Sequence, residues 1–277
     1  MSMTPERAQT IIESLDSNTD LKQNTQACKA IEWAVQSLDQ GSLRIASYSS
    51  TSKHWVHHAW LQKAVSLYFK IKPIQLCQHP WPHRDVVPGK YATTHQVEQA
   101  IHQRMVPPSY VRYGSYIGKH VVLMPCFVNI GAYVGDHSML DAWSTVGSCA
   151  QIGQRVHLSG GAGIGGVLEP ATATPTIIED DCFIGARSEI VEGVLIQSGA
   201  VIAPGVYISQ STKIYDRTNG KIIKGMVPQN AVVVPGSIPA KDGTHSVYAP
   251  IIVKYADDQT RGKVALSEYL REATSTI

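Results

Sequence analysis

The sequence predicts a mainly β protein: a parallel β-helix of six-residue repeats, preceded by an α-helical domain and followed by a small strand-and-helix cap. Two observations carry this prediction. Between residues 111 and 214 an aliphatic residue returns at every sixth position within three blocks, and Gly directly follows that aliphatic in six repeats. In a hexapeptide solenoid each repeat is one short strand and a corner, the aliphatic points inward, and small residues suit the corners.

Val, Ile or Leu occupies sixteen of sixteen hexad positions, which chance explains poorly. The positions are Val111, Ile117 and Leu123 in the first block; Val134, Leu140, Val146, Ile152, Leu158 and Ile164 in the second; and Ile178, Ile184, Ile190, Ile196, Ile202, Ile208 and Ile214 in the third. A run of hairpins in a β-sandwich would instead show alternation at period two.

Three such repeats make one triangular coil, so residues three repeats apart are expected to stack. Val146 is expected to stack on Ile164 in the second block. In the third block, Ile178 is expected to stack on Ile196 and Ile214. The interior is then a continuous aliphatic column in which each coil covers its neighbour.

Residues 1–106 lack the hexad and predict a mostly helical domain. The segments 4–17, 30–39 and 60–71 repeat apolar residues at spacings of three and four, which is typical of amphipathic helices. Thr4 is the predicted N-cap of the first helix. The segment 42–47 predicts a short strand, and the pair Pro107 and Pro108 marks the junction with the β-helix.

The predicted β-helix, residues 107–240, has two irregularities. Leu123 and Val134 lie one residue short of two repeats apart, with Val128 as the inward residue between them. Ile164 and Ile178 lie two residues more than two repeats apart, and the prolines between them predict a loop extruded near residues 166–176. Such a loop is either functional or a tolerated insertion.

Residues 241–277 predict the cap, with a strand at 246–256 and an amphipathic helix at 261–273. The last coil of a solenoid leaves strand edges and aliphatic side chains uncovered, and a terminal strand and helix cover them.

Composition limits the functional classes. The net charge of +2 does not indicate nucleic-acid binding, and no stretch is long and apolar enough to cross a membrane. Five cysteines without a CxxC pair argue against a disulfide framework and a zinc knuckle. The N-terminal segment lacks the order of a secretory signal, so we expect a cytoplasmic protein without nucleic-acid or membrane partners.

An aliphatic interior leaves three classes of function open: a coenzyme A acyltransferase, a zinc enzyme of the γ-carbonic anhydrase type, and a non-catalytic scaffold. Because the spacing between Leu123 and Val134 is one residue short, His120 and His137 are expected to stack on each other. A third histidine at the spacing of the γ-carbonic anhydrase zinc site is missing, so no metal is predicted. A scaffold would show repetitive Thr or Ser ladders, whereas charged residues here interrupt the repeat singly. Asp141 directly follows inward Leu140, where it either makes a corner hydrogen bond or takes part in chemistry.

Five segments, 105–135, 139–170, 175–194, 241–254 and 260–270, resemble the tetrahydrodipicolinate N-succinyltransferases of the hexapeptide-repeat transferases. The resemblance implies a left-handed parallel β-helix and a homotrimer with sites between adjacent chains. It implies succinyl transfer from succinyl-CoA, as co-substrate, to the amine of tetrahydrodipicolinate in its L-2-amino-6-oxopimelate form, in diaminopimelate and lysine biosynthesis. Because a few pocket residues decide the acyl group, acetyl-CoA remains the alternative donor. No permanently bound cofactor is expected.

The resemblance also implies site residues: Arg104 and Asp141 match positions used at the substrate, and Glu189 matches a second acidic residue of the cleft. A guanidinium binds a carboxylate through two parallel hydrogen bonds, so Arg104 is the predicted carboxylate ligand. The attacking amine must lose a proton, and Asp141, then Glu189, are the candidate acceptors. We expect direct transfer without an acyl-enzyme.

Coenzyme A is expected to contact Gly166, Lys213 and Lys224. Gly166 ends the glycine-rich segment 159–166, whose amides are candidate oxyanion donors, although corner positions with positive φ are the more ordinary explanation for these glycines. The two lysines lie near the end of the third block, where a solvated basic rim is the other explanation.

Overall fold

The computed structural model of the chain describes residues 2–16, 19–21, 23–78 and 81–256, and it has the predicted fold class, a left-handed parallel β-helix preceded by a helical region. The predicted C-terminal helix at 261–273 lies outside the described residues. None of the described helices is long and apolar enough to span a membrane.

The region before the β-helix contains helices and two hairpins. The helices are α1 (Pro5–Ser14), α2 (Thr25–Asp39), α3 (Ala59–Ile71) and α4 (Thr94–Gln99). The hairpins join β1 (Ala46–Ser49) to β2 (His54–His57) and β3 (Gln75–Cys77) to β4 (His83–Asp85). As predicted, the Thr4 side chain caps α1 by accepting a hydrogen bond from the Arg7 amide. The strand predicted at 42–47 is found as β1, which begins four residues later than predicted, and its partner and the second hairpin were not predicted.

Two-residue strands form the coils. They are β5 (Arg104–Met105), β6 (Tyr110–Val111), β7 (Tyr116–Ile117), β8 (Val122–Leu123), β9 (Phe127–Val128), β10 (Tyr133–Val134), β11 (Met139–Leu140), β12 (Thr145–Val146), β13 (Gln151–Ile152), β14 (His157–Leu158), β15 (Gly163–Ile164), β16 (Ile177–Ile178), β17 (Phe183–Ile184), β18 (Glu189–Ile190), β19 (Leu195–Ile196), β20 (Val201–Ile202) and β21 (Tyr207–Ile208). The chain then forms β22 (Ile214–Asp216), β23 (Lys221–Ile223), β24 (Met226–Val227), β25 (Ala231–Val234), β26 (Ser237–Pro239), β27 (Ser246–Tyr248) and β28 (Ile251–Tyr255). The strand predicted at 246–256 is therefore divided into β27 and β28.

The coils present three parallel sheets, which we call the first, second and third faces. The first face contains β7, β10, β13, β16, β19 and β24. The second contains β5, β8, β11, β14, β17, β20 and β25, extended by β28, β22 and β23, and the third contains β6, β9, β12, β15, β18 and β21. From β7 to β21 the chain visits the first, second and third faces in turn, so each coil closes one triangle, as the hexad predicted.

The inward column follows the predicted register over most of its length. Val146 pairs with Ile164 and Ile178 pairs with Ile196, and all four are buried. The predicted stacking of Ile178, through Ile196, on Ile214 is wrong because Val227 takes that place.

The chain leaves the coil after β21 and forms the β22–β23 hairpin before β24 resumes the first face. Asp216, a buried carboxylate, stabilises this excursion by accepting hydrogen bonds from Thr218, Asn219 and the Tyr255 hydroxyl at 2.7–2.9 Å. These bonds lower the pKa of Asp216 against the opposing effect of burial. They also join the hairpin turn to β28.

The corners differ from the prediction in the position of their left-handed residue. Positive φ occurs three residues after the inward aliphatic, and both glycine and larger residues occupy this position, among them Gly114, His120, Gly131, His137, Trp143, Cys149, Arg155, Gly161, Asp181, Arg187, Gly199 and Gly205. In the segment 159–166 Gly161 alone has a positive φ. The expectation that these glycines generally serve left-handed corners was therefore wrong.

The glycines that directly follow an aliphatic meet a different requirement. A Cβ on Gly118 would lie 2.7 Å from the Asp136 amide nitrogen of the next coil, and a Cβ on Gly185 would collide with the backbone of Pro204. Stacked coils come too close at these points for any side chain. Glycine is needed there for the approach of two backbones rather than for an unusual φ.

The extruded loop is present between β15 and β16, and it is packed against the helical region. Gln62 donates a hydrogen bond to the Pro170 carbonyl and Ser66 to the Leu168 carbonyl, both from α3. The Leu168 side chain contacts the core formed by α1, α2 and α3. The loop thus links the helical region to the β-helix.

We expect Gly185→Ala to lower the free energy of unfolding by about 3 kcal/mol, because the added methyl group overlaps the next coil. Gly205→Ala is the matched control: φ is +70° but nothing lies within 4 Å of an added Cβ, so a loss of about 1 kcal/mol is expected. Urea unfolding at fixed protein concentration measures both. Equal losses would contradict the role assigned to coil spacing.

Candidate functional site

Arg104, Asp141 and Glu189 lie on the second and third faces at different heights. Arg104 begins the second face in β5, and Asp141 follows β11 two coils further along the axis. Glu189, in β18, belongs to a coil two steps beyond that of Asp141. Neighbouring strands are about 4.8 Å apart, so Arg104 lies about 10 Å in height from Asp141 and about 19 Å from Glu189.

Asp141 lies at the corner between the second and third faces. Its carboxylate accepts a hydrogen bond from the Ala142 amide at 2.7 Å, which is the corner role that the sequence left open. Met124 and Ser159 occupy the equivalent positions in the adjacent coils, since their amides continue the same ladder. Glycine enters this column only further along the axis, at Gly185, so Asp141 does not interrupt a run of glycines there. Its second carboxylate oxygen makes no hydrogen bond within the described residues.

Glu189 is exposed on the third face, and its carboxylate lies flat against Gly163 of the preceding coil. A Cβ at Gly163 would overlap the Glu189 carboxylate. Desolvation at this position raises the pKa of Glu189 above its usual value. A carboxylate with a raised pKa is a better proton acceptor, so this environment suits acid–base chemistry.

Gly166 lines a cavity of 650 Å³ between the extruded loop and the corner of the third face. Glu169 and Thr174 of the loop form one side, and Glu192 and Gln210 of the coils form the other. A Cβ on Gly166 would collide with the Ser148 amide, so this glycine also allows two backbones to approach. The amides of Gly161, Gly163 and Gly165 donate to ladder carbonyls and are not available as oxyanion donors.

Lys213 and Lys224 flank the open end of the β22–β23 hairpin. Ile214 pairs with Ile223 across the hairpin, so Lys213 and Lys224, one residue further from the turn, lie opposite each other. Both lysines are exposed. Lys213 follows Gln210, a lining residue of the cavity at Gly166, by three positions. The hairpin register brings these two cations together, whereas Arg104, Asp141 and Glu189 belong to other coils.

Other polar features lie away from these residues. His120 and His137 stack with ring centroids 4.8 Å apart, as the spacing predicted. Across the described ranges, no group of three or more His, Cys, Asp or Glu side chains is placed to hold a metal ion. A cleft of 860 Å³ between the β1–β2 hairpin and the first face is bridged by a hydrogen bond from Trp55 to Glu179, and it contains none of the predicted site residues.

The cysteines of the β-helix are buried. Burial raises the pKa of Cys126 and Cys182 to about 12, and it also raises the pKa of Cys149. A thiol that stays protonated at neutral pH is a poor nucleophile.

Sequence reasoning gave no role to two corner residues that lie beside the site. Trp143, two residues after Asp141, has a positive φ and is 65% exposed. Arg187, two residues before Glu189, has a positive φ and folds over Gly161. Both lie three residues after an inward aliphatic, and this spacing could have identified them from the sequence as outward-facing corner residues.

Comparison with known proteins gives consistent matches over most of the chain. A family model described as tetrahydrodipicolinate N-succinyltransferase N-terminal matches residues 7–71, and one described as hexapeptide repeat of succinyl-transferase matches residues 175–210. A protein of Idiomarina loihiensis is 51% identical over 96% of this chain and 98% of its own length. One of Acinetobacter baylyi is 55% identical over 88% of this chain and 89% of its own. Both are named 2,3,4,5-tetrahydropyridine-2,6-dicarboxylate N-succinyltransferase.

Glu189→Gln is expected to be more stable than the wild type at neutral pH, because it removes a partly desolvated charge. A carboxyl group with a higher pKa in the folded state binds more protons there than in the unfolded state, so its contribution to stability falls as pH rises between the two pKa values. The difference between variant and wild type therefore shrinks as pH falls towards the unfolded-state pKa of about 4.3.

Thermal unfolding at several pH values and constant ionic strength measures this difference. Glu98→Gln, on the exposed surface of α4, controls for the loss of a surface charge. A Glu189→Gln variant that is no more stable than the wild type at neutral pH would contradict the desolvation of Glu189.

Proposed function

The chain belongs to the tetrahydrodipicolinate N-succinyltransferase family, and on that premise we propose that it transfers succinyl from succinyl-CoA to the amine of L-2-amino-6-oxopimelate. This is the succinyl transfer step of diaminopimelate and lysine biosynthesis. The observation that carries the proposal is about 50% identity to the named relatives over nearly the full length of both chains. A pathway enzyme of this kind acts in the cytoplasm, and the described cysteines, which form no disulfide, agree with that location.

Arg104 and Asp141 form the acceptor side of the proposed site. The acceptor is a dicarboxylate, and the exposed guanidinium of Arg104 suits one of its carboxylates. The difference in height of about 10 Å between Arg104 and Asp141 is within the combined reach of an arginine side chain and a seven-carbon substrate. Asp141, whose second oxygen is available, is then placed to receive the proton of the attacking amine.

The reaction itself is a direct transfer. The neutral amine attacks the thioester carbon, the proton passes to the carboxylate, and the tetrahedral intermediate collapses with loss of the CoA thiolate, which takes up a proton. The raised pKa of the buried cysteines supports transfer without an acyl-enzyme. Holding the two substrates together then supplies most of the rate enhancement.

The positions of Arg104 and Glu189 support a site between two chains of a homotrimer. Six carbon–carbon bonds of about 1.5 Å cannot extend a seven-carbon acceptor beyond about 9 Å, whereas Arg104 and Glu189 of one chain differ in height by about 19 Å. Glu189 therefore cannot serve an acceptor that is bound by Arg104 of the same chain, which supports a site completed by a neighbouring chain.

The cavity at Gly166 supports a binding site for the pantetheine arm of coenzyme A. It opens at the edge of the third face, three residues from Gly163, against which the Glu189 carboxylate lies. Its lining combines apolar side chains with the polar side chains of Thr174 and Gln210, which suits the alkyl and amide groups of pantetheine. Lys213 and Lys224 lie beyond it and suit the phosphates.

Purified protein with succinyl-CoA and the acyclic amine acceptor is expected to release free thiol, and release with acetyl-CoA is expected to be slower. A thiol reagent follows both reactions, and omission of the acceptor is the control. Release without acceptor, with succinyl left on the protein, would contradict direct transfer. Faster release with acetyl-CoA would identify acetyl-CoA, rather than succinyl-CoA, as the donor. No release with either donor would contradict the proposed function.

Asp141→Asn is expected to lower kcat by about 10²- to 10⁴-fold, because the amide cannot accept the proton from the amine. Steady-state kinetics with both substrates varied measures this change. Near wild-type kcat with a raised KM for the acceptor would leave Asp141 a binding role only.

If Asp141 of one chain and Glu189 of its neighbour complete one site, each variant alone loses activity, whereas mixed trimers of Asp141→Asn and Glu189→Gln chains contain some sites with neither substitution. Mixing the two variants under subunit exchange is therefore expected to recover part of the lost activity. No recovery in a mixture shown by mass spectrometry to contain hybrid trimers would contradict a shared site.

A further inference from the structure

One coil has no side chains at two successive outward positions beside the proposed site. Gly161 lies at the corner between the second and third faces, and Gly163 lies on the third face. The next coil places Arg187 and Glu189 at the equivalent positions. The glycines therefore leave a shallow recess on the surface, one coil high.

The side chains of Arg187 and Glu189 bend into this recess. The Cδ, Nε and Cζ atoms of Arg187 lie 2.8 Å from the point where a Gly161 Cβ would stand. The Glu189 carboxylate lies over Gly163 in the same way. Two residues of extended chain span at most about 7 Å, so a cation and an anion lie side by side.

Arg187 and Glu189 nevertheless do not pair. Within the described part of the chain, the Arg187 side chain makes no hydrogen bond or ion pair. Arg155, a left-handed arginine at another corner, differs in this respect, because its Nε lies 2.6 Å from an Asp181 carboxylate oxygen. The guanidinium of Arg187 is therefore available to an anionic ligand.

We propose that Arg187 binds the terminal carboxylate of the succinyl group and thereby selects succinyl-CoA over acetyl-CoA. Succinyl differs from acetyl by an added carboxymethyl group, and a guanidinium binds its carboxylate through two parallel hydrogen bonds. The inference rests on the proposed function, because it assigns a residue to the donor of that reaction.

The dimensions of the recess fit this assignment. In a succinyl group the thioester carbon and the carboxylate carbon are about 4 Å apart. A carboxylate held by Arg187 over Gly161 therefore leaves the thioester carbon towards Gly163 and Glu189. The reacting carbon then lies beside the Glu189 carboxylate, whose pKa is raised, whereas an acetyl group is too short to reach the guanidinium and gains no affinity from it.

The test compares Arg187→Gln, Arg187→Lys and the matched control Arg155→Gln. Arg187→Gln is expected to lower kcat/KM for succinyl-CoA by about 10- to 100-fold while leaving kcat/KM for acetyl-CoA and KM for the acceptor unchanged. Arg187→Lys restores part of the loss, because it keeps the charge but not the paired donors. Arg155→Gln is expected to behave as the wild type.

Calorimetric binding provides a readout independent of turnover. Arg187→Gln is expected to weaken binding of succinyl-CoA by the same factor and to leave binding of free CoA unchanged. Equal losses for succinyl-CoA and CoA, or a raised KM for the acceptor alone, would overturn the assignment. Circular dichroism verifies that each variant is folded. If the wild type binds succinyl-CoA but releases no thiol, the proposed function fails, while the difference between succinyl-CoA and CoA binding still tests Arg187.

Discussion

The close stacking of successive coils is the constraint on which the rest of the structure depends. Each coil lies about 4.8 Å above the last, so every inward aliphatic packs directly on its equivalent in the next coil. The same spacing brings backbone against backbone at Gly118 and Gly185, where even a methyl group does not fit. One regular distance thus fixes the aliphatic column, the glycines and the height of every outward side chain. The proposed site is a set of such outward positions, and its geometry follows from the coil spacing.

Polar contacts hold the helical region against this rigid column. Lys90 and Asp39 form an ion pair at 2.9 Å, and Asp39 also accepts a hydrogen bond from the Gly114 amide at the first left-handed corner. The extruded loop adds Leu168 to the helical core. Because the loop is anchored at α3 and forms one side of the cavity at Gly166, the helical region contributes to the proposed coenzyme A site without placing a residue in it.

The recess at Gly161 and Gly163 is a local departure from the regular repeat, and the proposed donor site depends on it. In most coils a side chain at these outward positions covers the surface, but the two glycines leave room that Arg187 and Glu189 enter from the next coil. The core does not change, since the inward residues Leu158 and Ile184 pair as elsewhere. The proposed chemistry therefore lies on the outside of the β-helix and leaves the packing of its core unchanged.

The hexad predicted the β-helix, its register as far as Ile208 and the extruded loop, and the resemblance of five segments predicted the family. A six-residue period has one structural solution, because inward positions must stack on one another. It did not reveal that Val227, rather than Ile214, continues the column, since a hairpin held by the buried Asp216 is a tertiary excursion that no period records. It also left Arg187 without a role. Only the tertiary structure showed that the guanidinium lies over Gly161, because that contact joins residues one coil apart in space but twenty-six apart in the chain.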